Sequence, residues 1–260
     1  MSKFTNSISI QNVSKSFGGI DAVQRCSFNI TGGSITGVIG PNGAGKSTLF
    51  NILAGVLKAD RGDILIGNKY VTGLPPYQMA KKGLLRTFQV AHEYSLMTVL
   101  ENLKVTPMDQ SGISLFANWF QWDKIKKEER VLEEKALEVL NVLELKHLKN
   151  EMAGNLSGGQ KKLLEMGRIL MGDPKIVLLD EISAGINKTL IKKIVKLIKK
   201  INKEKNVTFC VIEHDMDLIK ALCDPVIVMA QGSVLVKGPF EEIIKNPAVI
   251  EAYLGTNVED

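Results

Sequence analysis

The segment GPNGAGKS, residues 40–47, carries the strongest indication of fold in this 260-residue chain. It fits the pattern G-x-x-x-x-G-K-[ST], follows an apolar run typical of a buried strand (34–40) and opens a stretch with helical spacing (46–55). Glycines let the backbone curl so that successive N–H groups face phosphate oxygens, and the following helix adds the partial positive charge of its N-terminus. This context predicts a loop that binds the phosphates of a nucleotide.

Side chains of this loop have predicted roles. Lys46 is expected to reach the β- and γ-phosphates, Ser47 to offer its hydroxyl to Mg²⁺, and Thr48 to approach the α-phosphate. The rest of the loop is expected to surround the phosphates, and it comprises Gly40, Pro41, Asn42, Gly43, Ala44 and Gly45. The sequence therefore predicts a nucleotide site that uses Mg²⁺.

A second stretch, KIVLLDE at 175–181, supplies two acids after a run of apolar residues. A buried parallel strand ends at the ligand-binding edge of its sheet, so Asp180 is expected to hold Mg²⁺ through water. Glu181, one residue later, is placed to act as general base toward an attacking water. Two acids in a turn are the alternative interpretation of this stretch alone. Together with the glycine loop, the pair predicts hydrolysis of a nucleoside triphosphate.

The remaining patterns predict an α/β fold with a P-loop nucleotide-binding core, an antiparallel β edge subdomain and an α-helical insert. Residues 1–89 and 156–260 are expected to form the core, and residues 90–155, which have helical spacing and no strand signal, the α-helical subdomain. Strands are predicted in the core over the stretches 7–14, 25–31, 62–71, 206–213 and 225–238. The last stretch is predicted to be a hairpin that turns at Gln231-Gly232. A lysine-rich amphipathic helix is predicted at 188–205, as a solvated surface packed on the sheet.

Composition limits the classes of function. The chain is 45% hydrophobic and 23% charged, which suits one globular unit or a core with an insert. Its formal net charge of +5 indicates a weakly basic, solvated surface rather than a nucleic-acid-binding one. The three cysteines are widely spaced, which argues against a disulfide framework or a zinc site: Cys26, Cys210 and Cys223. No apolar run reaches the roughly 18 residues that span a bilayer, and the N-terminus lacks the apolar core of a signal peptide.

A further glycine-rich stretch, LSGGQ at 156–160, resembles the signature of the ATP-binding cassette family. Further motifs that resemble those of the family lie before and after this stretch, in the order that the family has them. Gln89 in RTFQ resembles the Q-loop glutamine, His214 in VIEHDM the switch histidine, and SAGIN at 183–187 the D-loop. Phe17 in SKSFGG resembles the aromatic residue that stacks on adenine. The resemblance covers nearly the whole chain.

The resemblance implies an ATPase that works as a head-to-tail dimer. Each site would join the loop of Lys46 in one chain to a cradle in the other chain, formed by Ser157, Gly158, Gly159 and Gln160. The implied catalytic group comprises Lys46, Gln89, Glu181 and His214, and the implied Mg²⁺ ligands are Ser47, Gln89 and Asp180. An independent anion site at LSGGQ is the alternative, but it does not explain why Gln89 and His214 are also present.

Finer features resemble the ATPase subunits of branched-chain amino acid importers. They are the RTFQ motif followed by MTVLENLKV, the long insert, VIEHDM and the terminal NPAVIEAYLG. The resemblance implies import of branched-chain or other amino acids, with lipopolysaccharide or lipid export as an alternative. A soluble cassette ATPase of translation or DNA repair is a third possibility, which the single cassette and short insert disfavour. A regulator without turnover would be expected to lack the acid at Glu181.

The implied partners are integral membrane permease subunits and a second ATPase subunit, either identical or paralogous. An extracytoplasmic substrate-binding protein is expected in the full complex, and nucleic acid is not. The chain is expected to lie peripherally on the cytoplasmic face of the cell membrane. Ile182 and Lys188 stand where many relatives have proline. Because proline fixes φ, these departures are expected to loosen the turn after Glu181.

Overall fold

A computed structural model of the protein describes residues 6–87, 93–107 and 122–254. Its strands are β1 (Ile8–Phe17), β2 (Ile20–Ile30), β3 (Ile35–Ile39), β4 (Arg61–Ile66), β5 (Lys69–Tyr70), β6 (Leu84–Arg86), β7 (Ile176–Asp180), β8 (Thr208–Ile212), β9 (Val226–Ala230) and β10 (Ser233–Gly238). Its helices are α1 (Lys46–Leu53), α2 (Pro76–Lys81), α3 (Val99–Lys104), α4 (Trp122–Val142), α5 (Gly158–Met171), α6 (Lys188–Lys205), α7 (Met216–Leu222), α8 (Phe240–Ile243) and α9 (Pro247–Leu254).

The chain forms two compact units. The first comprises Met1–Gln89, Pro174–Ala184 and Ile191–Asp260, and the second comprises Val90–Asp173 and Gly185–Leu190. The sequence interpretation assigns residues 156–260 to the core, whereas residues 156–173 and 185–190 group with the second unit. The reason lies in α5, where Gly167 lets the helix approach Leu103 and Leu143 so closely that an added Cβ would lie 2.7 Å from Leu143 Cδ1.

A mostly parallel sheet forms the centre of the first unit. Its strand order is β10-β9-β3-β8-β7-β6, in which β10 pairs antiparallel with β9 and the other neighbours are parallel. Every residue of β3, β7 and β8 is buried, as expected for apolar runs covered on both faces. The carboxyl ends of these three adjacent strands therefore meet at one edge of the sheet.

An antiparallel sheet completes the first unit, with strand order β2-β1-β4-β5. Its strands contribute buried residues such as Ile8, Ile10 and Ile64 to the same apolar core as Leu49 and Phe50 of α1. The predicted combination of an α/β core with an antiparallel edge is confirmed. The predicted hairpin turn is also confirmed, since Gln231 and Gly232 between β9 and β10 both have positive φ.

Helices dominate the described part of the second unit. The helix α3 begins with a capping box in which Thr98 and Glu101 satisfy each other's backbone N–H groups. The helix α4 runs for 21 residues and precedes two short 3₁₀ turns, at Lys146–Leu148 and Ala153–Asn155. The predicted α-helical insert is thereby confirmed. Within the described ranges of both units, no helix is long and apolar enough to cross a membrane.

Candidate active site

The phosphate loop, residues 40–47, leads from β3 into α1 and has a backbone that excludes side chains at two glycines. Gly45 is the N-cap of α1 with φ 89°, and a Cβ there would lie 2.2 Å from the carbonyl oxygen of Ala22. A Cβ at Gly40 would lie 2.1 Å from the carbonyl oxygen of Met229. Larger residues would force the loop away from the neighbouring strands.

Lys46 lies inside the phosphate loop rather than in solvent. Its Nζ donates to the carbonyl oxygens of Gly40 at 2.7 Å and Pro41 at 2.9 Å, and the residue is 6% exposed. Burial lowers the pKa of Lys46, while the negative charges of Glu181 and Asp180 oppose that shift. The loop thus holds a cation that faces two acids.

The remainder of the loop fits a polyphosphate. Ser47, Asn42 and Gly43 are exposed, and a Cβ added at Gly43 would meet no atom within 4 Å. No side chain caps the N-terminus of α1, so its first N–H groups are available to an anion. Ala44 is buried in the core, and Pro41 and Thr48 are half-buried. The loop therefore presents an open, positively polarised surface.

Asp180, the last residue of β7, is held by two residues that the sequence interpretation did not assign. Its Oδ2 accepts from Arg86 Nη2 at 2.7 Å, and its backbone N–H donates to Thr87 Oγ1 at 3.0 Å. Arg86 also donates to Asn51 Oδ1 at 2.5 Å and lies over the ring of Phe50. The RTFQ motif contains Arg86 and Thr87, but nothing in the sequence places them beside Asp180.

Glu181, the predicted general base, lies next to His214, the predicted switch histidine. The Nε2 atom of His214 is 3.2 Å from Glu181 Oε1. The backbone of Glu181 is in the left-handed region with φ 49°, which is uncommon outside glycine, asparagine and aspartate. Its N–H donates to the carbonyl oxygen of Ile212 at 3.0 Å, so the end of β8 fixes this strained residue.

Glu213 is a buried acid that the sequence interpretation missed. It is 2% exposed, and its carboxylate accepts from Ser183 N at 2.8 Å and from Ser183 Oγ at 2.7 Å. A charged residue directly after the apolar strand β8 was the available signal.

Phe17 lies at the end of β1 and is 46% exposed. The Nζ atom of Lys15 is 5.4 Å from the centre of its ring and also forms an ion pair with Asp60 at 2.6 Å. An exposed aromatic ring braced by a cation suits stacking on a nucleobase. Its contact with adenine remains a prediction.

The LSGGQ stretch begins α5 in the second unit. Ser157 is the N-cap, and its Oγ accepts from Gln160 N at 3.3 Å while Gln160 Oε1 accepts from Ser157 N at 2.9 Å. Ser157 and Gly158 are exposed, and Gly159 is half-buried, so this helix start is accessible. Gln89 lies outside the described residues, and its predicted role stays a prediction.

The structure brings four predicted functional groups to one edge of the first unit. The phosphate loop follows β3, Asp180 ends β7 and Glu181 follows it. His214 comes after β8, the strand between β3 and β7 in the sheet. In the described ranges, no group of three or more His, Cys, Asp or Glu side chains could hold a metal ion. The predicted ligands at this edge, the Ser47 hydroxyl and the Asp180 carboxylate, fit Mg²⁺. This ion commonly takes one or two carboxylates together with the oxygens of its substrate phosphates.

A family comparison defines the class of protein. The family model for the ABC transporter matches residues 23–184, which is more than half of the chain. The chain therefore belongs to the ATP-binding cassette transporter family and is an ATP-hydrolysing, nucleotide-binding subunit. A second model, for the branched-chain amino acid ATP-binding cassette transporter, matches residues 233–259. The family resemblance drawn from the motifs is confirmed.

Similar proteins cover almost the whole chain. It is 40% identical over 245 residues to a probable branched-chain amino acid transport ATP-binding protein, LivG, of Archaeoglobus fulgidus, with 94% of each chain covered. It is 41% identical over 252 residues to a probable LivG of Methanocaldococcus jannaschii, with 94% of this chain and 96% of the relative covered.

Solved structures agree with this assignment. The ADP conformation of an ATP-binding cassette of an ABC transporter matches with a TM-score of 0.82 and 37% identity, covering 95% of this chain and 98% of the other. A dimeric cassette in a post-hydrolysis state, bound to ADP and Pi, matches with a TM-score of 0.73 and 25% identity, covering 90% and 98%. The predicted α/β nucleotide-binding fold is confirmed.

Proposed function

We propose that the chain powers the import of branched-chain or other amino acids by hydrolysing ATP. Two relatives of nearly equal length carry the name of a branched-chain amino acid transport ATP-binding protein. The C-terminal match at residues 233–259 supports the same branch of the family. A substrate-binding protein outside the membrane would deliver the amino acid, and permease subunits would carry it.

The arrangement of Glu181 and His214 beside the phosphate loop carries the proposed chemistry. Glu181 would accept the proton of the attacking water, and His214 at 3.2 Å would orient its carboxylate. Lys46 would bind the β- and γ-phosphates as a point charge, and Phe17 would stack on adenine. Each of these groups has the chemical capacity its role requires.

Mg²⁺ would be held by Ser47 and Asp180, with Gln89 as the further predicted ligand. When bound, the ion would neutralise charge on the phosphates of ATP. The chain's own contribution is to present an accessible Ser47 hydroxyl and an Asp180 carboxylate fixed by Arg86. These residues suit a site completed by the nucleotide.

The second unit would contact the membrane partner. It exposes apolar side chains on adjacent segments, with Leu96 94% exposed and Met152 47% exposed. The two segments are joined by the hydrogen bond from Ala153 N to the carbonyl oxygen of Met97 at 2.9 Å. This apolar surface suits a short helix of an integral membrane permease, which would hold the chain at the cytoplasmic face of the membrane.

A second ATPase subunit, identical or paralogous, would complete each nucleotide site. The accessible helix start at Ser157 and Gly158 would contact the γ-phosphate bound by Lys46 of the facing chain. Removal of the γ-phosphate would then weaken the contact between the two chains. ATP would thus control assembly of the dimer.

Replacement of Glu181 by glutamine tests the hydrolysis step. Glu181→Gln should keep ATP binding and lower turnover by about 10²-fold or more, because a positioned base is lost. Glu129→Gln, which changes an exposed acid on α4, is the matched control and should leave turnover unchanged. Near-normal Mg²⁺-dependent ATPase activity of Glu181→Gln would contradict the assignment of the base.

A further inference from the structure

Glu213 is a buried charge without a role in the mechanism proposed above. Among the described residues, the buried lysine and carboxylate side chains are Lys46, Asp180 and Glu213. The first two belong to the phosphate loop and the predicted Mg²⁺ site. Burying a carboxylate is unfavourable unless hydrogen bonds compensate for the loss of water. The burial of Glu213 therefore depends on the hydrogen bonds that its carboxylate accepts.

Both carboxylate oxygens of Glu213 are committed to one residue. Oε1 accepts from the backbone N–H of Ser183 at 2.8 Å, and Oε2 accepts from the Ser183 hydroxyl at 2.7 Å. Hydrogen bonds to an ionised acceptor are stronger than those between neutral groups. Glu213 therefore fixes both the backbone and the side chain of Ser183.

Ser183 lies in the turn that begins at Glu181. The N–H of Ala184 donates to the carbonyl oxygen of Glu181 at 3.3 Å, which closes the turn. Glu181 has φ 49°, a conformation that persists only when surrounding contacts enforce it. One enforcing contact is the hydrogen bond from Glu181 N to the carbonyl oxygen of Ile212, and the pair of hydrogen bonds between Glu213 and Ser183 is another.

Three consecutive residues at the end of β8 thus hold the same turn. Ile212 accepts from the backbone of Glu181, Glu213 binds Ser183, and His214 lies beside the carboxylate of Glu181. Ile182, in the same turn, is buried with 7% of its surface exposed. The turn 181–184 is therefore held by contacts from the end of β8 and contains a buried Ile182.

We propose that Glu213 is a positioning residue for ATP hydrolysis, which holds the turn 181–184 so that the carboxylate of Glu181 stays beside His214. The inference rests on the proposed role of Glu181 as general base. Glu213 acts through its hydrogen bonds to Ser183 and not by a direct electrostatic effect on the reacting groups. It therefore affects the hydrolysis step and leaves nucleotide binding at the phosphate loop intact.

Two variants at this position separate the hydrogen bonds from the charge. Glu213→Gln keeps both bonds, because the amide oxygen can accept from Ser183 N–H and the amide NH₂ can donate to Ser183 Oγ. Glu213→Leu has a similar volume and removes both. We expect Glu213→Leu to lower kcat by about 10- to 100-fold, as small misplacements of a reacting group do. Glu213→Gln should stay within about 3-fold of the wild-type kcat.

The dissociation constant of ATP, measured by calorimetry, supplies the second readout. It should change by less than about 3-fold in both variants, because Lys46 and its loop are untouched. A kcat of Glu213→Leu close to the wild-type value would overturn the proposal. An equal loss in Glu213→Gln would also overturn it, because charge would then matter and not the hydrogen bonds.

A combination with Glu181→Gln tests whether Glu213 acts through Glu181. In that background, Glu213→Leu should cause little further loss, whereas independent roles would multiply the losses. If Glu181→Gln alone kept full activity, the proposed base would be wrong, which is distinguishable from a failure at Glu213. If thermal unfolding shows that Glu213→Leu is not folded, the proposal is tested with Ser183→Ala instead. This substitution should lower kcat by at least about 3-fold, and an unchanged kcat would overturn the proposal.

Discussion

Arg86 and Asp180 form a buried ion pair, with 2.7 Å between Arg86 Nη2 and Asp180 Oδ2. The side chains are 11% and 6% exposed, so solvent screens the pair weakly. The same guanidinium binds Asn51 at 2.5 Å. Arg86 thus connects the predicted Mg²⁺ ligand to α1, the helix that begins in the phosphate loop.

Loss of this pair should destabilise the fold. Arg86→Met would leave the Asp180 carboxylate buried without its cation, and we expect the free energy of unfolding to fall by about 3–5 kcal/mol. Urea denaturation followed by circular dichroism would measure the change. Lys15→Met is the matched control, because it breaks an ion pair whose acid, Asp60, is 44% exposed. Equal effects of the two substitutions would contradict the importance of burial.

Nucleotide affinity should depend on Lys46. Lys46→Ala removes the cation of the phosphate loop, and a hydrogen bond from a charged group contributes about 1.5–3 kcal/mol, so ATP affinity should fall by at least about 10-fold. Calorimetric titration measures this loss directly. Lys192→Ala on the exposed face of α6 provides the control and should bind ATP normally. Unchanged affinity of Lys46→Ala would exclude the loop as the binding site.

The LSGGQ cradle should act on the nucleotide of a facing chain. Ser157→Arg leaves Lys46 and Phe17 untouched, so ATP binding by the single chain should persist. The large side chain should prevent the ATP-dependent dimer, because it would occupy the place of the facing γ-phosphate. Light scattering with and without ATP measures the dimer. Dimerisation at wild-type affinity would refute a cradle that acts between chains.

Mixing two inactive variants sharpens this test. In a dimer of Ser157→Arg and Lys46→Ala chains, one composite site keeps both intact halves and the other loses both. The mixture should therefore recover part of the ATPase activity, whereas a cradle within one chain predicts none. Each variant alone, at the same total concentration, is the control.

The apolar surface around Leu96 should contact an integral membrane chain. A cysteine at Leu96, which is 94% exposed, should cross-link to a permease subunit in native membranes. The native thiols should not interfere, because burial raises the pKa of Cys26 and of Cys223 to about 12, and Cys210 is fully buried as well. Mass spectrometry would identify the captured chain.

The control for this experiment is a cysteine at Tyr70, which is 69% exposed in the first unit and should capture no permease. Equal capture from both positions would indicate random collision. Capture of ribosomal or DNA-repair proteins from Leu96→Cys would instead favour a soluble cassette ATPase.

Local patterns predicted the elements well because their signals are short-range. The phosphate loop is recognised from a strand, several glycines and a helix that follow one another directly in the sequence. The apolar stretch before Asp180 became β7, and the Gln231-Gly232 turn lies where its residues tolerate positive φ. In each case the residues that determine the structure are neighbours in the sequence.

Contacts between distant residues were not predictable in this way. Arg86 meets Asp180 across 94 residues, and Glu213 meets Ser183 across 30. Each pair depends on the strand order β8-β7-β6, which periodicity does not reveal. The observed division into two units differs from the predicted one for a similar reason. The close packing of Gly167 on Leu143 is a tertiary contact, which local patterns do not predict.

The position of β3 in its sheet constrains how the protein can be made. Its neighbours are β8 and β9, which begin at Thr208 and Val226, whereas β3 ends at Ile39. On the ribosome, the strand that presents the phosphate loop therefore leaves the exit tunnel long before either pairing partner is synthesised. A nascent chain must keep this apolar segment from aggregating, and it can assemble the sheet behind the phosphate loop only after β8 and β9 have been synthesised.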